Sequence, residues 1–203
     1  MKNSTLLSSV ISSAIGAIGI VINIILVSMG TISAKANVYL FIIAFFACAW
    51  VPILIELIFK IKIEVLASVI YQIFLILTII IGSIWKMYDI FAGYDITIHF
   101  MSGVLAAIIA YTFVKNSKKF KPYGLWLFVL LFAIAGACGA LWEIWEFATD
   151  LILDGNSQRV LGFSERTAIM DTMLDIIADV VGGLIGAGIC VVCDARTKKA
   201  KQP

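Results

Sequence analysis

Apolar residues occupy long unbroken stretches of this chain, and the polar residues gather in short connections between them. Six runs are visible: Leu6 to Met29, Val38 to Phe59, Val65 to Trp85, Ile96 to Val114, Tyr123 to Leu153 and Thr172 to Cys193. Most have the roughly 17 to 25 residues that a helix needs to cross a bilayer; the fourth is short, and the fifth stays helical in pattern as far as Leu153. Strands of a membrane barrel would instead alternate apolar and polar residues over about ten positions. The pattern predicts an all-α polytopic transmembrane bundle of about six spans, forming a single integral membrane domain over residues 1–203. No soluble domain, linker or internal repeat interrupts it.

Composition strengthens this reading. The chain is 62% hydrophobic and 14% charged, with mean hydropathy +1.07. A soluble domain of this length could not bury so much apolar surface. Membrane lipids are therefore the expected surroundings, and no nucleic-acid partner is expected. The basic residues orient the bundle. With a cytoplasmic N-terminus, eleven lie on inner segments, from Lys2 through Lys60, Lys62 and Lys115 to Lys201. Four lie outside: Lys35, Lys86, Arg159 and Arg166. The asymmetry predicts both termini inside. Ala34-Lys35-Ala36 matches a signal-peptide cleavage pattern. The apolar stretch before it exceeds the roughly 7 to 15 residues of such peptides, so it is read as a span.

Ionisable residues in spans are costly and usually mark function. Seven of the thirteen carboxylates fall in three stretches, joined by the only histidine. Asp95 and His99 open the fourth span at i, i+4. Glu143, Glu146 and Asp150 close the fifth at i, i+3, i+7. Asp171, Asp175 and Asp179 open the sixth at i, i+4, i+8. Each set shares one helix face. In the expected topology all three stripes meet at the outer face, with Asp179 about 12 Å deeper than Asp171. The result is a polar funnel open to the outside. Thr172 and Asp175 also fit a helix-start signal, which would make Asp171 and Asp175 ordinary N-terminal charges. Asp179 lies too deep for that explanation.

Seven carboxylates and one imidazole need protons or a cation to coexist. Oxygen donors with one nitrogen suit a divalent cation such as Mg²⁺, Mn²⁺, Ca²⁺ or Fe²⁺. The candidate ligands are Asp95, His99, Glu143, Glu146, Asp150, Asp171, Asp175 and Asp179. The candidate catalytic groups are His99 as a general base, with Asp95, Glu143 and Glu146 around it. The connection expected from Asp154 to Met170 carries Gln158 and Arg159, candidate holders of a phosphate-bearing or lipid-linked substrate. The alternative role for Arg159, equally weighted, is to anchor the loop on a carboxylate. Cys190 and Cys193 form a C-x-x-C pattern in an apolar span, and Glu56 is spaced to pair with Lys60. Glycines at 136, 139, 182, 183, 186 and 188 offer small faces for helix packing.

Tyr94-Asp95-x-x-x-His99-Phe100, Glu143-x-x-Glu146, and Asp171-x-x-x-Asp175 followed by Gly182-Gly183 resemble the YjdF-type bacterial inner-membrane proteins. More distantly they are similar to the VanZ-like membrane proteins associated with glycopeptide-antibiotic resistance. The resemblance covers about Tyr94 to Gly188. It implies a membrane protein with this polar set and specifies no reaction. Three function classes follow: a lipid-directed enzyme or binding protein at the outer leaflet, a cation- or proton-coupled transporter, and a non-catalytic scaffold or sensor. No G-x-S-x-G elbow, phosphate-binding G-x-x-x-x-G-K-S/T loop or HExxH zinc signature is present.

Overall fold

A computed structural model describes residues 2–30, 38–91, 93–153, 157–158 and 165–199. The described residues are helical, with no strand among them. This is what lipid demands, because a helix satisfies its own backbone hydrogen bonds. The helices are α1 (Lys2–Ser28), α2 (Val38–Ala49), α3 (Val51–Phe59), α4 (Val65–Leu75), α5 (Met87–Ile90), α6 (Tyr94–Asn116), α7 (Gly124–Leu153) and α8 (Glu165–Lys199). A π-helical stretch, Ile76–Ile84, continues α4. Five helical stretches are long and apolar enough to cross a membrane. The pair α2–α3, bent by 42°, makes a sixth if it is one span. The chain is a multi-pass membrane protein. It packs as two compact units, Met1–Tyr94 and Asp95–Pro203.

In the first unit, the expected second span is broken at Trp50. Pro52 has no N–H to give the carbonyl of Cys48, and its ring crowds that carbonyl. The Ile53 amide turns from Ala49 O to Trp50 O at 3.1 Å, and Leu54 makes its ordinary helical bond to the same carbonyl at 3.1 Å. The carbonyls of Cys48 and Ala49 would be unpaired in lipid. Side chains of α4 take them: Tyr71 donates to Cys48 O and Gln72 to Ala49 O, both at 2.9 Å. Gln72 also donates to Ser9 of α1 at 3.2 Å. Asn23 donates to Ile84 O and the Trp85 indole to Gly19 O, both at 3.2 Å. Glu56 accepts from Thr5 and from the Ile63 amide, at 3.1 and 3.0 Å, rather than pairing with Lys60. Lys60 lies past the end of α3 with φ 53°, where helical i, i+4 spacing no longer applies.

The second unit contains α6, α7 and α8. A dry cluster of Ala107, Ala110, Leu127, Leu131, Ala135, Ala187 and Cys190 fills one end. Cys190 is therefore part of packing, and neither it nor Cys193 is in a disulfide. The sixth helix starts at Glu165 rather than near Thr172. Hydropathy drops at Glu165-Arg166-Thr167, but these residues do not break a helix, and the backbone ladder runs through them. Thr172 is therefore no helix start, and Asp171 and Asp175 lie inside α8.

Candidate functional site

Glycines decide how closely the three helices approach. A methyl group on Gly103 would run into the carbonyl of Asp179 and the amide of Gly183. One on Gly182 would strike the Phe100 carbonyl, and one on Gly186 the Val104 carbonyl. α6 and α8 thus touch backbone to backbone, a spacing that small residues permit. Gly139 of α7 leaves room for the Asp179 side chain itself, which a methyl would displace. Asp179 is consequently held among all three helices and is 1% exposed.

This packing places Asp179 Oδ2 2.8 Å from His99 Nδ1. An ionised carboxylate only accepts, and the bond to such a group would place the proton on Nδ1. Ser102 donates to the other oxygen, Asp179 Oδ1. Ser102 Oγ also lies 2.8 Å from the His99 carbonyl. The imidazole is thereby fixed along one edge, and its other edge faces acid. His99 Nε2 lies 3.7 Å from Asp95 Oδ1 and 3.7 Å from Glu143 Oε1. These separations are too long for hydrogen bonds. One oxygen of Asp95, one of Asp175 and a ring nitrogen of His99 all lie within 4.8 Å of one another.

His99, Glu143 and Asp175 are buried, at 4%, 4% and 2% exposure. Among the described residues, Glu143 Oε1 and Asp175 Oδ1 have no hydrogen-bond partner. Buried carboxylate oxygens are normally satisfied, because leaving one unpaired is costly. Three helices therefore bring a buried cluster of oxygen donors around one oriented ring nitrogen.

A family described as "Predicted membrane protein (DUF2238)" matches residues 14–196. The chain belongs to that family. The YjdF-type resemblance is consistent with it. An uncharacterized protein of Thermotoga maritima is 30% identical over 104 residues, covering 51% of this chain and 50% of that protein. The chain thus spans about half the length of that curated relative. No solved structure matches.

The remaining polar residues of this DUF2238 protein stand apart from the central cluster or beside it. Glu146 is half-buried and accepts from the Trp142 indole at 2.9 Å. Asp150 accepts the backbone amides of Ser157 and Gln158 at 2.8 and 2.9 Å, pinning the turn that follows α7. Asp171 is half-buried, one helical turn before Asp175. Gln158 links two helices, donating to Glu143 O at 3.4 Å and to Thr172 Oγ1 at 3.2 Å. Arg159 lies outside the described residues. Ser102 and Gly103 escape a reading based on charge, although Ser102 is i+3 from His99 and so shares its face.

Proposed function

We propose that this protein binds a divalent cation in the Asp95–His99–Glu143–Asp175 pocket, and through it an anionic envelope lipid or lipid-linked intermediate at the outer leaflet. The observation that carries this reading is the His99 ring. It is clamped at Nδ1 by Asp179 and presents Nε2 to Asp95 and Glu143, and one buried oxygen each of Glu143 and Asp175 lacks a partner. A carboxylate behind a histidine is the usual support for a metal-binding imidazole. A cation would supply the missing charge balance and leave the outer side of the pocket for a phosphate or carboxylate group. His99 with Asp95, Glu143 and Glu146 would then move protons on that substrate, if the protein acts catalytically.

Gln158 belongs to this reading as the residue that ties the α7–α8 connection to Glu143 and Thr172. Arg159, next in sequence, would hold the anionic group. The orientation, with both termini on the cytoplasmic side of a bacterial inner membrane, rests on the basic-residue count. Transport is less well supported, because the other end of α6–α8 is filled by Ala, Leu and Cys side chains.

Native mass spectrometry of the gently purified protein, reading bound metal and lipid together, tests the proposal. The expected species carries one divalent ion and retained anionic lipid, and His99→Ala loses both. No ion in the wild type, with lipid retention unchanged in His99→Ala, would overturn it.

A further inference from the structure

We infer that Asp95, His99 Nε2, Glu143 and Asp175 are the ligands of a cation of the Mn²⁺ or Fe²⁺ class, and that Asp179 and Ser102 are positioning residues. The inference rests on the cation-binding reading above. It divides the acidic cluster in two.

The division follows from which edge of His99 each group meets. Asp179 occupies Nδ1 at hydrogen-bond distance. Its other oxygen is taken by Ser102, and Gly139 of α7 closes over the carboxyl group. Both oxygens of Asp179 are thus engaged, and it is among the most completely buried side chains. On the Nε2 edge, Asp95 and Glu143 each stand at 3.7 Å. Two donor atoms so spaced are too far apart to bond each other. They can still share an ion whose bonds are about 2.0–2.2 Å long. The partnerless oxygens of Glu143 and Asp175 are the second sign that a ligand belongs here.

The donor set also favours one class of ion. Ca²⁺ takes six to eight oxygens, and Mg²⁺ keeps several waters and an oxygen shell. An imidazole nitrogen among carboxylates shifts preference toward first-row ions that accept nitrogen. Fixing the ring through Nδ1 makes that nitrogen a permanent feature of the pocket. The sequence alone could not separate Asp179 from Asp175, since both lie on one stripe of α8.

Electron paramagnetic resonance of the purified full chain in detergent, titrated with Mn²⁺, tests the inference. The wild type should bind one Mn²⁺ whose pulsed spectrum shows imidazole nitrogen modulation, and equimolar Mg²⁺ or Ca²⁺ should not displace it. Asp175→Asn should lose the ion. Asp179→Asn and Ser102→Ala should keep it, with nitrogen modulation at saturation and affinity weakened about 10- to 100-fold. Ser102→Ala removes only one hydroxyl, so it carries the test if Asp179→Asn does not fold.

Bound Mn²⁺ without nitrogen modulation would overturn the ligand assignment and leave cation binding standing. Displacement by equimolar Mg²⁺ or Ca²⁺ would overturn the preferred class. Wild-type affinity in Ser102→Ala, or binding abolished in Asp179→Asn as in Asp175→Asn, would overturn the positioning role. No Mn²⁺ bound to the wild type would remove the cation reading itself.

Discussion

In residues 1–94, three polar side chains repair breaks in the backbone ladder. Tyr71 and Gln72 cover the carbonyls that Pro52 releases, and Asn23 closes the end of the π-helical stretch at Ile84. In residues 95–203, the buried polar side chains face one another. His99 meets Asp179, Asp95 and Glu143, and two carboxylate oxygens are left over. The first unit also has leftover polar atoms, Ser13 Oγ and Gln72 Oε1, but they are neutral. An unpaired charge is far more costly to bury than an unpaired amide or hydroxyl. Polarity inside a membrane therefore has two signatures. Groups that bond backbone serve the fold, whereas charged groups that bond each other and remain unsatisfied mark a site.

The contrast can be broken at several points. The largest effect is expected from Gly103→Leu, which forces α6 off α8 and should cost on the order of 3 kcal/mol or prevent folding. Gly188→Leu, two residues past Gly186 and so on another side of α8, has open space around it and should be tolerated. Thermal unfolding in detergent compares the two. Gln72→Leu should lose about 2 kcal/mol by unpairing Ala49 O and Ser9, read from the same unfolding curves. Glu143→Gln should do the opposite in metal-free protein, raising stability by about 1 kcal/mol because an amide replaces a carboxyl group that has one buried oxygen without a partner. Pro52→Ala should have the smallest effect, under about 1 kcal/mol, because it restores the N–H that Cys48 O lacks while Tyr71 already covers that carbonyl. Hydrogen exchange at residues 50–54 would report whether the break at Trp50 persists.

Hydropathy made the spans legible, because lipid imposes a length on every helix that crosses it. The helix breaks and starts were less so. Pro52 sits in an apolar run whose average hides it. Glu165-Arg166-Thr167 interrupt the apolar run without interrupting the backbone ladder. Helical spacing was enough to align Asp95 with His99, and Asp171 with Asp175 and Asp179. It could not show that Asp179 meets one edge of the imidazole while Asp95 and Glu143 face the other. That depends on how closely α6 and α8 approach, which Gly103, Gly182 and Gly186 set together. Gly103 carries no chemistry of its own, so its importance appears only when the backbone opposite it is known.

The central claim is that Glu143 of α7 and Asp175 of α8, each with one partnerless buried oxygen, hold a cation. Thermal unfolding of the wild type and Asp175→Asn, each with and without Mn²⁺, tests it most directly. Mn²⁺ at a hundred times its Kd should stabilise the wild type by about 2.7 kcal/mol. Asp175→Asn should be more stable than the wild type without metal and should not respond to Mn²⁺. A variant that is less stable without metal, and responds to Mn²⁺ as the wild type does, would contradict the claim.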